Sequence, residues 1–103
     1  YLDMDEMAIE SIIKNKERTA AMVQYIDRMI EIYRILSERS KKPEDLRRFN
    51  TIYYLYIADD EKTVDELSDC HNIDRRSVYR DLNRGCEALS SLIFGVDGIR
   101  LIS

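Results

Sequence analysis

The sequence predicts an all-α fold: a long N-terminal helix followed by a tri-helical helix-turn-helix domain. Three observations carry this. The 103 residues include three glycines and one proline, so little interrupts a helical run. Apolar residues recur at three- and four-residue steps along most of the chain. Near the middle, "TVDE" (Thr63–Glu66) and "NIDRRS" (Asn72–Ser77) read as a capped helix start, then a turn and a second capped start.

The bulk composition fits one domain. The chain is 45% hydrophobic and 35% charged, with a formal net charge of -4. That supplies a core and excludes a disordered polyelectrolyte. No run of about eighteen apolar residues is present, so no membrane segment is expected, and no basic-then-apolar leader is visible. The sequence starts at Tyr1, which suggests that a short N-terminal piece precedes it. Cys70 and Cys86 both fall on apolar helical positions and are expected to be buried free thiols. Their spacing and the single histidine give no zinc site, and neither metal nor cofactor is expected. Free thiols point to the cytoplasm.

The elements follow in order. Met4 to Ser37 reads as one helix. Between Met22 and Leu36 its polar residues, Gln24, Asp27, Arg28, Glu31 and Arg34, form a narrow stripe. The apolar remainder is wider than a surface helix needs, so the helix should be gripped from two sides. A rod of this length would measure roughly 50 Å, against a radius of gyration of about 13 Å for a domain of this size. The helix must kink near "KNKER" (Lys14–Arg18) or project onto another chain. No Gly or Pro forces a kink there. The spacing of Val23, Ile26, Ile30 and Tyr33 is that of a helix–helix seam and favours a homodimer through this helix. Residues 1–40 are therefore expected to be a dimerisation or interaction arm. "SERSKKPED" (Ser37–Asp45) is a break. Pro43 suits the first turn of the next helix, with Glu44 and Asp45 at its positive end. That helix reaches about Ala58, with Leu46, Phe49, Ile52, Tyr53 and Tyr56 at helical spacing. Asp59–Lys62 is a polar connector. Thr63 and Glu66 make a capping box for a short helix ending near His71. Asp74 caps a last helix that Gly95 stops near Phe94. The helix-turn-helix unit thus occupies residues 43–95, and the tail Val96–Ser103 has no assigned structure.

The pair of helices around Asn72 meets the needs of a helix-turn-helix. Leu67, Ile73, Val78 and Leu82 fall where the two helices must touch. Asn72 occupies a turn position that needs a left-handed backbone. His71 stands where a leucine is common and reads as a half-buried filler. Unrolled at about 100° per residue, the last helix puts Val78, Leu82, Gly85, Cys86, Leu89 and Ile93 on one side. Arg76, Tyr79, Arg80 and Asn83 gather within about 60° of the opposite side. Arginine pairs with guanine and asparagine with adenine in the major groove. Arg75 and Ser77 lie in the first turn, which approaches DNA most closely. Arg84 extends the basic face, and Asp81 is expected on its flank within reach of Arg84. Lys41, Lys42, Arg47 and Arg48 are candidate phosphate contacts.

The span Asp45–Ile93 resembles the fourth region of sigma-70-type sigma factors, with "YRDLNRGCEAL" (Tyr79–Leu89) in the place of the last helix of that region. The piece "RRSVYRDL" (Arg75–Leu82) is also similar to segments of DeoR-type repressors. With the long helix in front, the whole chain looks most like small phage transcriptional activators of the RinA/ArpU kind. The resemblance implies sequence-specific binding to double-stranded DNA in a bacterial host cell and activation of phage genes, with RNA polymerase as a further partner. It gives Arg75, Arg76, Ser77, Tyr79, Arg80 and Asn83 the recognition-helix role.

The alternative function is a protein-interaction module that docks on RNA polymerase or another transcription protein. The acidic runs Asp3–Glu6 and Ala58–Glu61 would suit a basic partner. An enzyme is not expected. There is no Gly-rich phosphate loop, and no nucleophile has a base at a useful spacing. Tyr53, Tyr54 and Tyr56 look reactive as a cluster, but Tyr53 and Tyr56 fit the apolar stripe of their helix.

Overall fold

A computed structural model of the chain describes residues 4–95. Over these residues the protein is all-helical: α1 (Met4–Lys14), α2 (Ala20–Arg39), α3 (Pro43–Ile52), α4 (Val64–His71) and α5 (Arg75–Phe94), with a π-helical turn at Tyr53–Ile57 prolonging α3. The tail Val96–Ser103 lies outside the described residues. No helix among the described residues is long and apolar enough to cross a membrane.

The single helix expected over Met4–Ser37 is two helices. Neither glycine nor proline breaks it; polar side chains do. Asn15 Oδ1 accepts a bond from the Glu17 amide at 2.9 Å. Thr19 leaves helical geometry (φ -70°, ψ 160°), and its hydroxyl accepts from the Met22 amide. Such local bonds give the backbone an alternative to the helical ladder, and the second is an N-cap that starts α2. The intervening Lys14–Arg18 contains no apolar side chain to hold a helix against a core. The break lets α1 fold back onto α5 and the π turn. The longest dimension is 37 Å, so no rod projects. The expected arm over residues 1–40 is, as far as it is described, packed into the same core as the later helices. Ile9 and Tyr33 share one buried cluster with Phe49, Ile52, Leu82, Cys86, Leu89 and Ile93.

The seam assigned to a dimer is consumed in the same way. Ile26 and Tyr33 are buried, Ile30 packs against the core and Val23 is half-buried. The Tyr33 ring meets Phe49 edge-on at 5.4 Å. α2 packs on α3 and α5 of its own chain, while Met22, Tyr25 and Leu36 of its wide apolar band stay exposed.

Pro43 occupies the start of α3, with Glu44 and Asp45 in the first turn. The π turn then widens the helix, and the Ala58 amide reaches back to the Tyr53 carbonyl at 2.8 Å. This turn re-aims the tyrosines. Tyr53 stacks on Phe49 with centroids 6.1 Å apart and remains partly exposed, whereas Tyr56 is half-buried.

Along α5 the expected inward residues, Val78, Leu82, Gly85, Cys86, Leu89 and Ile93, are all buried. A fully buried leucine such as Leu89 contributes roughly 1.5–3 kcal/mol. Gly85 lies where α5 packs tightly on α3. A Cβ built there would lie 2.8 Å from Ile52 Cδ1 and 3.0 Å from the Arg48 carbonyl oxygen. Cys86 is a buried thiol, but Cys70 is exposed. Leu67, rather than Cys70, supplies the core contact of α4.

Candidate nucleic-acid interface

The geometry at the start of α5 is fixed by local bonds. Thr63 and Glu66 form a reciprocal box: the Glu66 amide donates to Thr63 Oγ1 at 3.1 Å and the Thr63 amide to Glu66 Oε1 at 3.0 Å. These bonds hold the Glu66 carboxyl below its usual range. α4 ends at Asn72, which is left-handed (φ 56°, ψ 47°) and the one positive-φ non-glycine residue among those described. The Ile73 amide donates to the Ser68 carbonyl at 3.0 Å, and Ser68 Oγ donates to the Ile73 carbonyl. Asp74 then accepts from the Ser77 amide at 2.8 Å. Its carboxyl is held low by the bonds from Ser77 and, less strongly, by the charges of Arg76 and Arg80. The α4–α5 angle is therefore set at both ends of a three-residue turn.

From this start α5 presents Arg75, Arg76, Tyr79 and Arg80 to solvent, with Ser77 and Asn83 half-buried beside them. Tyr79 is 50% exposed, unlike Val78, Leu82, Leu89 and Ile93 on the inward side of the same helix. Arg75 Nε lies 3.1 Å from Asp65 Oδ1, a solvent-exposed pair between α4 and α5. Arg84 pairs loosely with Glu87 at 3.4 Å. Such pairs are weak enough to exchange for another anion. Arg76 and Arg80 form no ion pair among the described residues.

Asp81 is not on the flank of this face and does not meet Arg84. It is buried, and Arg47 of α3 holds it through two bonds: Nε to Oδ2 at 2.6 Å and Nη2 to Oδ1 at 3.1 Å. Arg48 Nε stands 3.9 Å from the same carboxylate, and Arg48 Nη1 lies 3.5 Å from Asp45. Arg47 and Arg48, expected as phosphate contacts, are thus engaged by Asp81 and Asp45, with about a third of each side chain still exposed. Lys41 and Lys42 are exposed where α2 joins α3. The helical register carried a signal for Asp81. It precedes Gly85 and Leu89 by one and two steps of four, and both of those face inward. The partner, 34 residues upstream, left no local trace.

His71 is half-buried at the end of α4, as its filler role requires. Its Nδ1 is buried with no hydrogen-bond partner among the described residues. Burial pulls its pKa below 6.5, opposed by the Asp81 charge and aided by that of Arg47. No protein-family model matches the chain, and no curated protein or solved structure matches it.

Proposed function

We propose that this protein is a sequence-specific DNA-binding transcriptional regulator of the helix-turn-helix type, with α4 and α5 as its two motif helices. The observation that supports this best is the composition of the exposed face of α5. Arg76, Tyr79 and Arg80 point outward from a doubly capped turn, while the acid that would oppose DNA there, Asp81, is withdrawn into the core and neutralised by Arg47. In this reading the first turns of α5 enter the major groove. Arg76 and Arg80 reach guanine edges or phosphates, Asn83 reaches adenine, and Arg75, Ser77 and Arg84 contact the backbone at the margins. Tyr79 supplies an apolar surface for a thymine methyl. The net charge of -4 belongs to other surfaces and lowers non-specific affinity.

The proposal does not need pairing through the α2 seam. Such a pair would have to expose Ile26 and Tyr33, which the chain buries. One chain presents one reading helix. The experiment is selection of bound duplexes from a random pool, followed by titration of wild type, Arg76→Ala and Arg80→Ala on the enriched duplex.

The second reading, docking on RNA polymerase or another transcription protein, draws on the exposed acids Asp59, Asp60 and Glu61 in the α3–α4 connector. Capture of polymerase that survives nuclease treatment would favour it over DNA binding.

A further inference from the structure

α2 carries two apolar seams side by side. Ile26, Ile30 and Tyr33 belong to the first and pack inside the chain. Met22, Tyr25, Met29, Ile32 and Leu36 form the second. Their steps of three, four, three and four place all five within about 80° of the helix circumference. This alternation is the seam of a two-helix coiled coil. Met22, Tyr25 and Leu36 are 45%, 47% and 55% exposed, and Met29 and Ile32 are partly exposed between them.

The surroundings suit a helical partner. Two side chains of α5 extend the apolar surface: Leu92 lines a groove with Leu36, and Phe94 lines another with Met22 and Tyr25. The Tyr25 hydroxyl donates to the Ile93 carbonyl at 2.8 Å, so the half-exposed ring is held in place. A fixed ring loses little freedom when a partner covers it. None of the five seam residues is charged. Arg34 bonds to Glu31 and Glu38 on the opposite side of the helix. A nucleic acid or a charged peptide would find nothing to pair with along the seam itself.

The area also decides. Half of three large side chains is roughly 300 Å² of apolar surface per chain. Patches of that size on a single chain are commonly functional. Two of them, with Leu92, Phe94 and the polar rim, reach about 1,000 Å² of buried surface, the lower bound for a specific pair. A second copy brings a helix of the same period, length and lack of charge, and its seam matches this one by symmetry.

We infer that the protein forms a homodimer in which Met22, Tyr25, Met29, Ile32 and Leu36 of one α2 pack on the same residues of a second copy. Ile26 and Tyr33 stay buried in their own chain, so this is not the pair expected through Val23, Ile26, Ile30 and Tyr33. The dimer carries two copies of α5, and the inference stands whether or not α5 binds DNA.

The test is sedimentation equilibrium of the full chain without DNA. The interface is small, so association is read at micromolar and higher chain concentrations. The mass of wild type should rise from one chain toward two and stop there. Leu36→Lys and Met22→Lys should each weaken association at least about ten-fold, because each sets an unpaired ammonium in an apolar contact. Both positions are exposed, so both variants should keep the wild-type circular dichroism and melting temperature. Met7→Lys, at a 57% exposed position of α1 outside the seam, should associate as wild type does. A wild type that stays monomeric throughout would overturn the inference and leave the seam to a different chain. So would growth beyond two chains, or a loss from Met7→Lys as large as that from Leu36→Lys.

Discussion

Arg47 Nε donates to Asp81 Oδ2 at 2.6 Å, joining the middle of α3 to the face of α5 that turns inward. The carboxylate is 3% exposed and the guanidinium 34%, so the two ends of the pair are unequal. Arg47→Met strands a buried carboxylate beside Arg48, which stands 3.9 Å away. The expected loss is about 2 kcal/mol, below the usual value for breaking a buried pair because Arg47 is partly solvated. Asp81→Asn leaves a guanidinium that can turn to water and should cost less, about 1 kcal/mol. Urea denaturation of both variants reads the asymmetry. A larger loss for Asp81→Asn than for Arg47→Met would contradict this asymmetry.

Gly85 lets α5 pack on α3 with no room for a β-carbon. In an exposed helix, Gly→Ala stabilises by about 0.5–1 kcal/mol. Here the new methyl would press on the Arg48 carbonyl oxygen at 3.0 Å and on Ile52 Cδ1 at 2.8 Å. Ile52 is 1% exposed and cannot swing away. Overpacking should outweigh propensity, for a net loss of about 1 kcal/mol. A higher melting temperature for Gly85→Ala would show that α3 and α5 are not in this contact.

His71 gives the fold a pH dependence of defined sign. Its folded pKa lies below 6.5, so the unfolded chain binds the proton more readily. The stability tied to neutral His71 is fully present above about pH 6.5. It is lost as pH falls through that value toward the folded pKa. His71→Leu removes the titration and the unpartnered Nδ1. Melting temperatures of the two proteins between pH 7.5 and pH 5 should therefore diverge as pH falls, the variant being the more stable. Parallel curves would contradict the burial of His71.

Much of the candidate site was legible because its determinants are local. The Thr63–Glu66 box, the left-handed Asn72, the Asp74 cap and the outward set Arg76, Tyr79 and Arg80 each depend on neighbours within four residues, and all are found where the pattern puts them. Pro43 and Gly95 mark helix ends for the same reason. What was not legible depends on distant partners. The apolar width of α2 announced two-sided burial, but spacing cannot distinguish a second chain from α3 and α5. The stop at Asn15–Thr19 is made by side chain-to-backbone bonds in a stretch where breakers were sought as Gly or Pro. The fate of Asp81 depended on an arginine in another helix, and the exposure of Cys70 on Leu67 taking the inward position of α4.

The proposed reading of DNA by the exposed start of α5 is tested by the affinity of wild type, Arg76→Ala, Arg80→Ala and Arg47→Met for the duplex enriched from a random pool, taken by fluorescence anisotropy across a salt series. Each of the first two variants should lose roughly 1–3 kcal/mol of binding if its arginine contacts a base, and wild-type affinity should fall steeply as salt rises. Arg47→Met, measured where it is folded, should bind as wild type does, because that arginine faces Asp81 rather than phosphate. No enriched duplex at low salt, or Arg76→Ala and Arg80→Ala binding unchanged, would contradict the account.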